Sequence, residues 1–267
     1  MSWANSEDAT ILITVKTYPT PSQHHVETVC VAGVRLDRDE PEWVRLYPIP
    51  FRALGENEQF KKYQLVRARI TPRGGSDVRP ESFRPDLQHL ELLETIDTKR
   101  NWGARRELIE PLIGATTTCE LVEINRATSY DRPAPSLGLI KPRVSRIEPL
   151  DFRPWNTKQL QKVKRAAEPD LFNAPLQELQ PVPYRLRVHY RCMEEGCTGH
   201  KQEILDWELG VAGMMWQRRY RERTAETILT HWESMLMDPS KDTHLYIGNQ
   251  HQYRHSFSVL GAWYPKA

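Results

Sequence analysis

The sequence predicts an α+β protein with a curved antiparallel sheet or small barrel in its N-terminal part. A Cys/His knuckle, set among helices and strands, is predicted in its C-terminal part. Three observations support this fold class. The first eighty residues contain β-rich segments separated by turn-forming residues. The segment RCMEEGCTGH places two cysteines and a histidine close together, and amphipathic helical patterns lie before and after it.

The N-terminal strands are expected at 11–18, 26–34, 42–49 and 63–70. In the last of these, YQLVRARI, the arginines Arg67 and Arg69 alternate with apolar residues, so one face of the strand is apolar and the other basic. The intervening segments are rich in Pro, Ser, Asp and Gly and show no helical period. This spacing favours an antiparallel sheet or small barrel over alternating βαβ units.

Helices and strands alternate less regularly in the rest of the chain. The patterns predict helices at 86–97 and 101–113, a strand at 119–125, a proline-broken loop at 129–143 and a basic amphipathic helix at 157–168. They then predict a strand at 184–192, helices at 203–220 and 223–237, and strands at 243–249 and 256–264. We expect a β-rich domain over 1–150, a helix and linker over 151–182, and a metal-binding region over 183–267.

Composition limits the classes of protein to consider. The chain has 267 residues, of which 39% are hydrophobic, and eight Trp and ten Tyr can anchor a core. No apolar run is long enough to span a membrane, and the start MSWANSEDATILITV lacks the basic region of a signal peptide. Four cysteines are too few for a disulfide scaffold, so we expect a cytoplasmic protein. The net charge of +2 neither requires nor excludes a nucleic-acid partner.

The motif RCMEEGCTGH contains the ligand types that zinc prefers. Cys192, Cys197 and His200 are separated by four and two residues, and Gly196 and Gly199 allow a tight loop. The alternative is a pair of buried cysteines near an unrelated histidine, but the charged neighbours of the motif argue against burial in a core. The sequence therefore predicts a zinc site with three local ligands.

The fourth ligand separates a structural site from a catalytic one. A fourth protein ligand would close the site, and the candidates are His189, Cys30, Cys119 and His231. A water in that position would ionise near neutral pH and make the site catalytic. Asp206 and Glu208 could then act as general base, or could instead orient a ligating histidine or complement a helix dipole. The sequence favours the structural interpretation.

A second pair of carboxylates lies in the polar segment SDVRPESFRPD. Asp77 and Glu81 could serve a metal or substrate there, and the alternative is a surface loop held by its own ion pairs. Basic residues interleaved with aromatic ones indicate nucleic-acid binding. The candidates are Lys16, Arg45, Arg67 and Arg69 in the β-rich part, and Arg218, Arg219 and Arg221 near a helix end. A solvated sheet face and a helix C-terminus stabilised by cations are the alternatives.

Several segments together resemble an uncharacterised family of bacterial proteins. These are KTYPTPS, ETVCVAGV, EWVRLYPIPFR, QFKKYQ and DVRPESF, followed by CTGHKQEILDWELG and the closing GAWYP. The resemblance covers most of the chain and implies one common architecture. It brings no activity with it. From the residues, the expected function is that of a zinc-binding protein that binds nucleic acid. The alternatives are a metal-dependent hydrolase acting as a nuclease, and a protein-interaction module. The oligomeric state is left open.

Overall fold

The computed structural model describes residues 5–21, 27–75, 77–168 and 177–267. It has the mixed α+β fold that the sequence predicts. The strands are β1 (Glu7–Lys16), β2 (Thr20–Pro21), β3 (Glu27–Arg35), β4 (Glu42–Ile49), β5 (Gln64–Pro72), β6 (Ser82–Thr95), β7 (Leu137–Ile140), β8 (Arg143–Leu150), β9 (Arg185–Arg191), β10 (His200–Glu203), β11 (His244–Gln250) and β12 (Tyr253–Trp263). The helices are α1 (Lys99–Ile109), α2 (Thr118–Ala127), α3 (Thr157–Ala167), α4 (Trp207–Tyr220) and α5 (Thr224–Leu236).

The N-terminal strands form a closed barrel in the order β1-β5-β6-β4-β3, and the pairing of β1 with β3 closes it. The short β2 extends the edge of β3. Alternate residues of each strand, such as Ile11, Val44 and Val66, fill the interior. The pairs are antiparallel except for β4 with β6. The predicted small barrel is therefore confirmed, and closure leaves few free strand edges.

The outer face of β1 and β3 is covered by a second sheet, β12-β11-β7. Leu12 and Val34 of the barrel belong to one buried cluster with Tyr246 and Trp263 of that sheet. We refer to this contact between the barrel and the β12-β11-β7 sheet as the seam. Residues on both faces of β1 are therefore apolar, which explains why its sequence is almost continuously hydrophobic.

A third sheet, β10-β9-β8, completes the C-terminal region. The inward residues of β9, Leu186, Val188 and Tyr190, join a core with residues of α4 and α5 such as Leu209 and Trp232. The alternate residues of β9 point away from this core. This sheet therefore has one apolar inner face and one polar outer face.

Three predicted elements are wrong. Most of the predicted helix 86–97 belongs to β6, which ends at Thr95, because pairing with β5 overrides the helical propensity of a leucine-rich segment. The predicted strand 119–125 is the helix α2, and Thr117 and Glu120 form a capping box at its start. The predicted loop 129–143 contains β7, which pairs with β11.

The other predicted helices and strands are confirmed with small shifts at their ends. The helix predicted from 203 begins at Trp207, since His200–Glu203 pair as β10. The expected linker falls partly on 169–176, which lie outside the described residues. The division at 150 and 182 stays a prediction. Within the described ranges, no helix combines the length and apolar character needed to cross a membrane.

Candidate metal centre

Four possible ligands converge where α2 meets β9 and β10. Cys119 lies in the first turn of α2, Cys192 directly follows β9, and Cys197 lies in the loop that leads to His200, the first residue of β10. Cys192 and Cys197 are buried, while Cys119 and His200 are partly buried. The sequence spacing predicts three of these residues, and Cys119 is one of the four candidates for the remaining position.

The ligand atoms have the separations of a tetrahedral site. His200 Nε2 lies 3.3 Å from Cys119 Sγ and 3.4 Å from both Cys192 Sγ and Cys197 Sγ. All four ligand atoms lie within 4.8 Å of one another. A tetrahedral ion with Zn–S of about 2.3 Å and Zn–N of about 2.0 Å requires S···N separations of about 3.5 Å. The three S···N separations match this value to within a few tenths of an ångström, so the group can hold a metal ion.

The backbone of the loop is shaped for this arrangement. Gly199 has a φ of +104°, a value that L side chains rarely adopt, and it allows the chain to turn between Cys197 and His200. The Cys192 amide donates to Cys197 Sγ at 3.2 Å. Glu194 accepts a hydrogen bond from Thr117, the residue that caps α2. This bond ties the loop to the helix that supplies Cys119.

The titration behaviour of the four groups suits a cation. Burial, together with the neighbouring thiols, raises the pKa of Cys119, and burial raises the pKa of Cys192. The pKa of Cys197 is lowered even though burial opposes this, because backbone amides including that of Gly199 donate to its sulfur. Burial lowers the pKa of His200, which keeps the imidazole neutral and able to ligate. Three thiols this close ionise together only when a cation shares their charge.

The other three candidates for the fourth ligand lie in different environments. His189 is on the outer face of β9 and interacts with Glu148 at 2.7 Å. Cys30 is in the barrel strand β3 and accepts from Arg45. His231, on α5, packs against Trp216 with a centroid distance of 5.2 Å. Of the four candidates, His189 is the nearest in sequence to the motif, yet the fold brings Cys119 into the group. Distance along the sequence therefore does not identify the fourth ligand.

Asp206 and Glu208 lie at the start of α4 and interact with a lysine. Asp206 is fully buried, caps α4 through the amide of Glu208 at 2.7 Å, and pairs with Lys62. Glu208 lies 3.3 Å from the same lysine but is largely exposed. Among the described residues, the two carboxylates interact with this lysine and with the N-terminus of α4. Asp206 and Glu208 thus connect the N-terminus of α4 to Lys62 of the barrel region. This geometry supports such a contact more directly than a role in orienting His200.

Asp77 and Glu81 are buried, not held on a surface loop. Asp77 accepts from Arg79 at 2.8 and 2.9 Å, from Arg73 at 2.8 Å and from Ser82 at 2.7 Å. Arg79, and with it Arg73, holds the pKa of Asp77 well below its usual range although burial opposes this. Glu81 accepts from the amide of Ser136 at 2.5 Å. Neither carboxylate is part of the Cys3His group.

The residues predicted to contact nucleic acid do not form one surface. Lys16 and Arg45 are buried, and Lys16 donates to Phe60 O at 3.1 Å. Arg67 and Arg69 face solvent on β5 but pair with Glu91 and Asp8. The three arginines at the end of α4, Arg218, Arg219 and Arg221, are exposed. Their role in binding stays a prediction.

The fold and site define a protein built from a closed barrel and an α+β region with a Cys3His group. Residues 7–111 match the family described as Domain of unknown function (DUF8758). Residues 114–267, more than half of the chain, match Domain of unknown function (DUF8757), and the chain belongs to that family. The resemblance to an uncharacterised family is thus confirmed, while a bacterial origin stays a prediction.

No curated protein matches the sequence. One solved structure, described as "Structure of murine DNA binding protein bound with ds DNA", aligns over 98% of this chain and 96% of that chain with 6% identity and a TM-score of 0.31. A score of this size does not indicate a shared fold, so it carries no information about what this chain binds.

Proposed function

We propose that this protein binds nucleic acid through the outer face of the β10-β9-β8 sheet, and that zinc in the Cys3His group stabilises that sheet and its loop. The observation behind the proposal is a concentration of cations on one sheet face. We call this surface the basic face. It carries Arg143 and Arg146 from β8, Arg185, Arg187 and Arg191 from β9, and Lys201 from β10.

Strand register brings these side chains together. Arg143 lies opposite Arg191, and His189 lies between Arg146 on one side and Lys201 on the other. Facing residues in antiparallel strands have Cβ atoms about 5 Å apart, so the cations form rows across the sheet. Rows of like charge facing each other destabilise a sheet on their own. An anionic partner would remove that repulsion.

Only part of this charge is neutralised within the described chain. Glu203 accepts from Arg185 at 2.7 and 2.9 Å, and Glu148 lies close to His189, Arg146 and Arg187. Arg143, Arg191 and Lys201 have no acidic partner among the described residues. These three line an open cleft of about 490 Å³ beside Cys197 and His200. The cleft is also lined by Ser145, Thr198 and Gly199 and by two acidic residues, Glu194 and Glu195.

The chemistry of the basic face suits phosphates. Guanidinium groups bind phosphate oxygens with two parallel hydrogen bonds, and hydroxyls add further donors. The aromatic residue of β9, Tyr190, is buried on the inner side and offers no stacking surface here. We therefore expect phosphate contacts that are strongly salt-dependent and largely independent of sequence.

The Cys3His group is assigned a structural zinc. Thiolates with one imidazole are typical ligands of structural zinc, and four protein ligands leave no open position for a catalytic water. The hydrolase alternative needs such an open position. Four free thiols, three of them clustered, also fit the predicted cytoplasmic location, where thiols stay reduced.

A salt series tests the proposal. Fluorescence anisotropy should detect binding of single- or double-stranded DNA or RNA at low salt. The double variant Arg191→Gln/Lys201→Gln should reduce the slope of log K against log salt by about 1.4–1.8, which corresponds to two lost phosphate contacts. The matched control is Arg67→Gln/Arg69→Gln on the barrel, which removes the same charge and should leave the slope unchanged. Absence of binding even at about 50 mM salt, or equal effects of the two double variants, would contradict the proposal.

A further inference from the structure

A second polar site lies inside the molecule, at one edge of the seam. We call it the seam cluster. It consists of six residues, all more than nine-tenths buried: Arg45, Arg79, Glu81, Ser136, Asn249 and Arg254. They come from the barrel strand β4, the 77–82 segment, the residue preceding β7, and the strands β11 and β12. Apolar side chains such as Leu12, Val34 and Leu260 fill much of the rest of the seam. A dense polar group in this position needs a physical reason, since buried polar groups are costly unless fully paired.

Ser136 links the cluster. Its amide donates to Glu81 Oε1 at 2.5 Å, and its carbonyl oxygen accepts from the amide of Asn249 at 3.1 Å. Its carbonyl and hydroxyl oxygens lie 3.3 and 3.2 Å from Arg45 Nη2. Arg79 Nη1 donates to Asn249 O at 3.4 Å. These contacts bring the charged side chains of the barrel part within a few ångströms of the backbone of β11.

Several polar atoms of the cluster have no protein partner. Among the described residues, seven buried side-chain atoms lack a hydrogen bond, and four of them belong to this cluster. Two are donors, Arg45 Nε and Arg254 Nη2, and two are acceptors, Glu81 Oε2 and Asn249 Oδ1. Unpaired buried atoms are few in native proteins, and four of them in one cluster can be paired by water or by a ligand from outside the chain.

The cluster reaches the surface beside an exposed aromatic ring. Tyr130 is 58% exposed, and the Arg254 guanidinium carbon lies 5.5 Å from its ring centroid. The hydroxyl of Tyr130 contacts His255 Nε2 at 3.2 Å. The buried Arg254 guanidinium packs against this ring, and the exposed part of the ring can accept an incoming planar group.

We infer that the seam cluster binds a nucleobase. The free acceptors Glu81 Oε2 and Asn249 Oδ1 would repel a simple anion, and the free arginine donors would repel a cation. A base edge carries N–H donors next to carbonyl or ring-nitrogen acceptors, which matches two acceptors and two donors in one site. Tyr130 supplies a stacking surface, as proteins that bind unpaired bases commonly do. The inference extends the proposed function, because phosphate contacts alone carry no sequence information.

Binding should be measured with nucleosides and with short single-stranded oligonucleotides. Calorimetry at high salt, where phosphate contacts are weak, should show saturable single-site binding that depends on base identity. Glu81→Gln keeps the size and the carbonyl acceptor of the side chain, and it should weaken binding of the preferred base at least about tenfold, since a charged acceptor is lost. Tyr130→Ala alters an exposed residue and should weaken binding by about tenfold through lost stacking.

The control variant for this test is Arg191→Gln/Lys201→Gln. It should leave nucleoside binding unchanged even where it reduces binding of long strands, so failure of the basic face and failure of the seam cluster are distinguishable. Binding of free nucleosides would identify a small-molecule site, and Glu81-dependent base preference in oligonucleotides alone would place the base in a strand. The inference is overturned if neither ligand shows base-dependent binding, or if both variants bind as the wild type does.

Discussion

Replacing Cys119 by serine should weaken metal binding about a hundredfold and destabilise the C-terminal core. Structural zinc sites of this type have apparent binding free energies of about 10–16 kcal/mol, so an even share for each of four ligands is about 3 kcal/mol. At about 1.4 kcal/mol per factor of ten, this share corresponds to about two orders of magnitude in affinity. The substitution keeps the shape of the side chain and exchanges a thiolate for a weak hydroxyl ligand.

The same loss should lower the melting temperature. Cys192 and Cys197 belong to the buried core that α4, α5 and the β10-β9-β8 sheet share, so metal binding and folding of this region are coupled. For a chain of this size, about 3 kcal/mol corresponds to a fall of about 6–12 °C. Metal content by mass spectrometry, competition with a chromophoric chelator and thermal unfolding together measure the effect.

The matched control is Cys30→Ser. Cys30 lies on β3 beside Arg45 and takes no part in the Cys3His group. This variant should keep its full metal content. If Cys119→Ser retains stoichiometric zinc with wild-type affinity, or if Cys30→Ser loses zinc, then the four-ligand assignment is wrong.

Three further predictions concern the backbone, a buried ion pair and a buried lysine. Gly199→Ala places a side chain at a φ of +104° and should cost about 1–3 kcal/mol in urea titrations, together with a weaker metal affinity. Asp206→Asn leaves Lys62 buried without its main counter-charge and should cost about 3–5 kcal/mol, whereas Glu208→Gln, at an exposed carboxylate on the same lysine, should cost less than about 1 kcal/mol in the same titrations. Burial, with a smaller effect of Lys62, lowers the pKa of Lys16 to about 8 from 10.5. Between these pH values the unfolded chain holds a proton that the folded chain has released, so stability rises with pH, and Lys16→Met should flatten that rise.

The barrel strands could be predicted from the sequence because apolar and polar residues still alternate along a strand when the sheet closes into a barrel. One face of each strand must be apolar to fill the interior, and this requirement is local. At residues 86–97 and 119–125, the local sequence does not determine the type of secondary structure. The leucines of LQHLELLE fit a helix as well as a strand, and pairing with the edge of β5 decides the outcome. For CELVEIN, the capping box at Thr117 and Glu120 indicates a helix, whereas the β-branched residues of the segment favour a strand.

The sequence also does not determine which basic residues lie on the surface and could bind a partner. Lys16 and Arg45 look like surface cations in the sequence, yet both are buried. The barrel turns one face of each strand inward, and the β12-β11-β7 sheet covers part of the other face, which no pattern within the barrel strands reveals. In the strand YRLRVHYRC, by contrast, the alternating basic residues lie on the outer face of the β10-β9-β8 sheet, which no other sheet covers among the described residues. Such a surface can be recognised only when the covering elements are known.

The metal centre and the basic face share their supporting strands, and this leads to one further expectation. Cys192 follows Arg191 at the end of β9, and His200 precedes Lys201 at the start of β10. A bound ion therefore fixes the positions of Arg191 and Lys201, two of the three cations that line the cleft. Removing the metal with a chelator should reduce nucleic-acid affinity as well as stability, and adding zinc back should restore both. Cys119→Ser should reproduce the loss, although Cys119 itself does not line the cleft. If chelated protein binds nucleic acid with unchanged affinity and salt dependence, the basic face is independent of the metal and the proposed link between them is wrong.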